Sequence, residues 1–294
     1  MNQATSLAAS ERRLGDLLPA IGAALTYSAG DILGKILFND GMDVLSFITA
    51  RGLLTVAFFW LWLRQAPPLR PHTRRERIVS VIVGLIFSAN IFTLLLAIKL
   101  LPLSIAILTY FTYPLFTGLF GAATGIDRVH WRGLLAAFVA FLGLALMLET
   151  RLADVSLLGI VCALAAAAGR TITLLVTRAA LQGTDSRLNT WYSLLPSAAL
   201  FLLASLLTRN WNPPQTSLGW AAFVGMCITT TVPVVLIFMA IGRIGPFRTA
   251  LIMNLEPLVS TLGSIALLGE VLRPLQALGG AIMLGALCVF QIRR

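Results

Sequence analysis

From residue 17 to residue 292 the chain is a succession of long apolar runs separated by short polar punctuation. Crossing a bilayer takes about 20 apolar residues in a helix, and these runs have that length. They are continuous rather than alternating, so the pattern predicts helices and not the strands of a barrel. Ten spans are expected, at about 17–37, 44–64, 78–100, 103–125, 131–149, 157–179, 187–208, 217–241, 247–269 and 274–292. The third and fourth are divided only by KLLPL at 99–103.

Composition supports that class. The 294 residues are 58% hydrophobic and 12% charged, with a mean hydropathy of +0.89. A soluble domain carries about twice that charged fraction. Cys162, Cys227 and Cys288 lie singly in apolar runs, and no spacing suits a metal or a redox pair. His72 and His130 fall in short basic loops, and no phosphate loop, dinucleotide fingerprint, HExxH or GxSxG occurs. No cofactor or metal is expected, and an enzyme would need a ligand or nucleophile cluster at membrane depth that the sequence lacks. The first 16 residues are polar with no cleavage site after a signal-length apolar core, so no removable signal peptide is expected.

The net charge of +10 would suit nucleic acid, but its distribution points to the membrane. With the N-terminus inside, fifteen of the 22 basic residues fall on the cytoplasmic side, among them Arg74, Arg75, Arg77, Arg128, Arg132 and Arg243. Lys99, Arg151, Arg209 and Arg273 fall opposite, and Lys35, Arg51 and Arg170 lie in or near spans. That bias predicts both termini in the cytoplasm of a bacterial inner membrane, with lipid and a small-molecule solute as partners and no nucleic acid.

The segments LTYFTYPLFTGLFG (108–121) and LIMNLEPLVSTLGS (251–264) align at an offset of 143, Pro114 on Pro257 and Tyr113 on Glu256. Gly30 aligns with Gly169 at 139, which also sets Asp31 against Arg170. Residues 1–150 and 151–294 therefore read as two five-helix repeats. Five is odd, so the second enters the membrane inverted, the pattern of alternating-access transporters with a site at the midplane. The stretch LEPLVSTLGSIALLGEVLRPLQALGGAIMLGALCV (255–289), with Glu256–Pro257, Gly269–Glu270 and the glycines of the last span, resembles the end of an EamA-type member of the drug/metabolite transporter superfamily. The first copy departs from that family at Ile126–Asp127, where a Glu is usual. The resemblance implies ten helices, a central cavity lined by spans other than five and ten, and export of small metabolites. Bacterial amino-acid exporters, including those for aromatic amino acids, look most similar.

Charged and polar groups at depth are costly and so mark function. Asp31 and Lys35 are four apart and can neutralise each other; Arg51 is expected to snorkel to the outer surface. Arg170 is mid-span, and its partner is Asp31, Glu256 or a substrate carboxylate. Pro114, Pro233 and Pro257 are expected helix breaks that free carbonyls. Glu256, desolvated beside Pro257, is a candidate proton carrier. Asn90, Tyr110, Tyr113, Thr229, Asn254 and Ser260 complete the candidate cavity; Trp191 and Tyr192 belong either to it or to the interfacial belt. Ala277, Ala281 and Gly285 form a small-residue packing stripe. The expected function is export of amino acids, aromatic or other neutral ones. A drug or other-metabolite transporter is the alternative, and a membrane-embedded enzyme the remote one.

Overall fold

The structure, a computed structural model, describes residues 2–148, 156–209, 211–268 and 273–292. All regular structure among them is helical: α1 (Asn2–Asn39), α2 (Val44–Gln65), α3 (Arg74–Leu100), α4 (Leu103–Tyr110), α5 (Tyr113–Ala123), α6 (Trp131–Met147), α7 (Leu157–Ala180), α8 (Ser186–Thr208), α9 (Ser217–Ile244), α10 (Pro246–Ile252), α11 (Leu255–Leu268) and α12 (Pro274–Ile292). Among the described residues, seven stretches are long and apolar enough to cross a membrane: Gly15–Gly34, Val44–Gln65, Arg74–Leu100, Leu103–Ala123, Leu157–Ala180, Ser186–Thr208 and Ser217–Ile244. Trp131–Met147 and Pro274–Val289 are shorter apolar helices. The chain is a multi-pass membrane protein.

Short polar side chains start the helices where the apolar runs begin. Asp43, Ser156 and Thr216 each accept a backbone N–H of the first turn that follows. Thr73 and Glu76 form a reciprocal capping box at α3. Asp40 accepts the N–H groups of Gln215 and Thr216 and the Thr216 hydroxyl, tying the end of α1 to the start of α9.

Two helices are interrupted. α4 stops at Tyr110 and α5 resumes at Tyr113; α10 stops at Ile252 and α11 resumes at Leu255. Each gap lies just ahead of a proline, Pro114 or Pro257, whose missing N–H cannot continue the ladder. The break expected at Pro233 is absent. α9 runs unbroken through it, because a membrane helix tolerates one lost bond where neighbouring helices support it.

α7 packs against α3, α4 and α5; α1 packs against α9 and α11; α8 lies between α2 and α3; and α6 pairs with α12. Two crossings are too close for any side chain. A Cβ on Gly84 of α3 would stand 2.0 Å from the carbonyl oxygen of Ser193 on α8. At the α6–α12 crossing, a Cβ on Gly143 would meet the Gly279 carbonyl at 2.7 Å, and one on Gly279 the Gly143 carbonyl at 2.5 Å. The packing face of α12 is thus Gly279, Gly280 and Met283, all buried. The Ala277–Ala281–Gly285 stripe faces outward instead, one register away from the contact.

Candidate functional site

The two interruptions meet at the centre of the bundle, and the polar groups there serve their frayed backbones. Thr171 of α7 donates to the carbonyl of Tyr113 (3.2 Å), which also accepts from Thr117 (2.7 Å). Ser28 of α1 donates to the carbonyl of Glu256 (2.9 Å). Ser28 and Thr171 are 143 residues apart, as are Tyr113 and Glu256. A second such set crosses the bundle: Ser88 bonds Ser197 (2.6 Å) and Thr55 bonds Thr231 (2.8 Å). Ser88 and Thr231 are again 143 apart, and Thr55 and Ser197 are 142 apart. These bonds set α1 against α7 at 143, not at the 139 suggested by Gly30 and Gly169. In that register Arg170 corresponds to Tyr27, and the matching of Asp31 with Arg170 falls away. The side chain of Asp31 lies outside the described residues, as do Glu270 and the side chain of Lys35, so the expected Asp31–Arg170 ion pair does too.

Arg170, on the small-residue stretch of α7, lies beside the α4–α5 break. It is 8% exposed, and its guanidinium carbon lies 5.9 Å from the centroid of the Tyr113 ring. Tyr110, Tyr113, Tyr27 and Glu256 are its electrostatic neighbours. No carboxylate is ion-paired with it among the described residues, and its buried Nε has no hydrogen-bond partner there. The rings soften this isolation, since an aromatic face attracts a guanidinium. They leave its Nε without a hydrogen bond.

The other candidates divide into those at this centre and those away from it. Tyr113 is buried, stacks obliquely on Tyr110 at 5.5 Å, and donates its hydroxyl to the carbonyl of Ala250 (3.4 Å), bridging the two broken helices. Asn90 is buried, donates to the Ala166 carbonyl one turn before Arg170, and neighbours Tyr110. Asn254 is buried in the second interruption and donates to the Leu251 carbonyl (3.0 Å). Glu256 is half-buried with its carboxyl in the electrostatic neighbourhood of Arg170, and Ser260 follows one turn on, half-buried. Thr229 turns its hydroxyl back onto its own helix, to the Met226 carbonyl (3.2 Å). Trp191 packs with Phe59, Leu194 and Val235, and Tyr192 stands 5.8 Å from His72 at the basic end. Trp191 is an interior packing residue of α8 rather than part of the Arg170 site.

Arg51 is the residue that sequence reasoning misplaced. It does not snorkel. It lines an interior cavity with Tyr27, Thr55, Phe87, Ser197 and Phe201, and its guanidinium carbon is 5.3 Å from the Phe47 ring. The signal was its depth, seven residues into α2 and so roughly 10 Å from the helix start. Asp127 is a second residue whose role the structure supplies. Its carboxylate accepts the Phe247 N–H (3.0 Å) in the first turn of α10, so the acid that departs from the family pattern holds the start of the second broken helix.

The EamA-like transporter family matches the chain twice, over residues 14–149 and 157–291. The threonine/homoserine exporter RhtA of Escherichia coli (strain K12) is 30% identical over 240 residues, covering 79% of this chain and 75% of that exporter. The RhtA proteins of strains O6:H1 and O157:H7 match to the same extent. A solved crystal structure with 20% identity aligns at a TM-score of 0.79 over 96% of this chain and all of its own, a likeness of fold.

Proposed function

Because the chain belongs to the EamA-like transporter family, we propose that it exports neutral amino acids across the bacterial inner membrane, with the substrate carboxylate held by Arg170 between the two broken helices. The carrying observation is the buried guanidinium of Arg170, which has no ion pair and an unpartnered Nε among the described residues. A buried cation without an ion pair is costly, and a bidentate carboxylate supplies both charge and hydrogen bonds. Tyr110 and Tyr113 offer ring faces to the rest of the solute, and Glu256 stands near enough to meet its ammonium group or to carry a proton.

Counting each interrupted helix as one span gives ten, arranged on this reading as two inverted five-helix repeats with both termini cytoplasmic. The hydrogen bonds that recur at an offset of 143 support the repeat, and the arginine bias supports the orientation. At the basic end α3 and α8 are sealed by the Gly84–Ser193 contact and by Ser193 donating to the Ser80 carbonyl (2.9 Å). The Arg51 cavity borders the Ser88–Ser197 bond, with Ser197 in its wall. We read this as a state closed to the cytoplasm. The relatives named for threonine and homoserine export favour amino acids over drugs as cargo, and a transporter over an enzyme.

Reconstituted protein should exchange labelled threonine, homoserine or an aromatic amino acid in counterflow, with competition by unlabelled neutral amino acids. Competition by hydrophobic cations, but by no amino acid, would favour the drug-efflux alternative and set this proposal aside.

A further inference from the structure

We propose that the basic end of the bundle carries a site for one anionic phospholipid, in the cleft between the α5–α6 loop, the α9–α10 junction and the α6–α12 pair. The cleft measures about 1170 Å³. Arg128, Arg132, Arg178, Arg243 and Arg248 line its upper part. The acid among its lining residues, Asp127, has its carboxylate turned onto the Phe247 N–H. Arg178 is anchored there by bonds to the Ile241 and Gly242 carbonyls (3.0 and 2.8 Å), and Arg243 by one to the Gly15 carbonyl (3.3 Å). Arg132 lies over the Trp131 ring (5.7 Å), an amphipathic pair of the kind found at the membrane interface.

Below the arginines the cleft changes character. Its wall is Leu135, Ala136 and Val139 of α6 against Gly285, Ala286 and Val289 of α12. A Cβ on Gly285 would meet nothing within 4 Å, so this wall has open space beside it. A basic rim over an apolar trough fits a molecule with a phosphate at one end and an acyl chain at the other. A soluble anion would leave the trough empty, and a zwitterionic headgroup would bring its own cation against the arginines. Basic pockets between membrane helices at the cytoplasmic face recognise anionic headgroups for this reason. The inference rests on the proposed cytoplasmic placement of this end. The lipid would hold together the loop bearing Asp127 and the start of α10, so it bears on the second broken helix without touching the transported solute.

The test is native mass spectrometry of the purified full chain from mixed micelles of phosphatidylglycerol and phosphatidylcholine with matched acyl chains. The wild type should retain phosphatidylglycerol in preference. Arg128→Gln with Arg132→Gln should reduce that preference by roughly fivefold for each arginine removed. Gly285→Leu, which fills the trough and leaves every arginine in place, should lower phosphatidylglycerol retention on its own, so the inference does not hang on one variant folding. Equal retention of the two lipids by the wild type would overturn it, as would an unchanged preference in both variants. Displacement of the bound lipid by millimolar glycerol phosphate or inorganic phosphate would also overturn it, by showing that a soluble anion suffices. Solute flux is not read, so failure here and failure of the transport reading are separate results.

Discussion

Arg170 reads as a cost in the sequence and as an open valence in the structure. What the sequence could supply was its depth, because a charge with no acidic residue near it on either side has to be answered from another helix. The sequence could not supply its neighbours. Tyr27, Tyr110, Tyr113 and Glu256 come from α1, α4, α5 and α11, and only the folded bundle brings them together. Arg51 shows the opposite error: its place in α2 was legible, but snorkelling and cavity-lining cannot be told apart without knowing which face of the helix looks inward. Glu256 yields a prediction at this scale. If it carries a proton, Glu256→Gln should slow flux and flatten its dependence on pH, as measured in proteoliposomes with a stepped external pH. Slowed flux with the wild-type pH profile would leave Glu256 a binding group alone.

Among the elements, α3 shows how local chemistry and packing divide the work. Its start is set by the Thr73–Glu76 box. The Thr73 backbone N–H, with Arg70 contributing, holds the half-buried Glu76 carboxyl at about 2, below the usual carboxylate range. A depressed carboxylate stabilises above its unfolded value and loses that contribution as pH falls. Fraying of the first turn of α3, read by hydrogen exchange, should therefore grow between about pH 4.5 and about pH 2. Thr73→Ala should cost about 1 kcal/mol and bring the same fraying to neutral pH. Further along, Gly84 permits backbone contact with Ser193. Gly84→Ala places a Cβ where the carbonyl oxygen now sits and should destabilise the protein by about 1–3 kcal/mol, seen as a lowered unfolding temperature in detergent. The prolines show how far sequence reaches at this scale. Pro114, Pro233 and Pro257 carry the same local signal, yet only at the first and last does the helix part. There, hydroxyls from α7 and α1 accept the task of binding the loosened backbone.

For the whole molecule, the apolar runs made the membrane class plain. The four-residue error in the register of α1 against α7 has a physical source: small and apolar residues repeat so often in membrane helices that a glycine match carries little information. The hydroxyl-to-carbonyl bonds at both breaks carry more. If transport needs α3 and α8 to part, then Ser88→Cys with Ser197→Cys, in a background without the three native cysteines, should stop flux on oxidation and recover it on reduction. Flux that persists through the crosslink would mean that these helices do not separate during transport.

The central claim is that Arg170 reads the carboxylate of the transported solute. It is tested most directly by the binding of threonine and of its decarboxylated amine, 1-amino-2-propanol, to the purified wild type and to Arg170→Lys, which keeps the charge but loses the planar fork. The account predicts that Arg170→Lys remains folded and loses affinity for threonine by roughly tenfold to a hundredfold, while the weak binding of the amine is unchanged. A well-folded Arg170→Lys that binds threonine as the wild type does would contradict it.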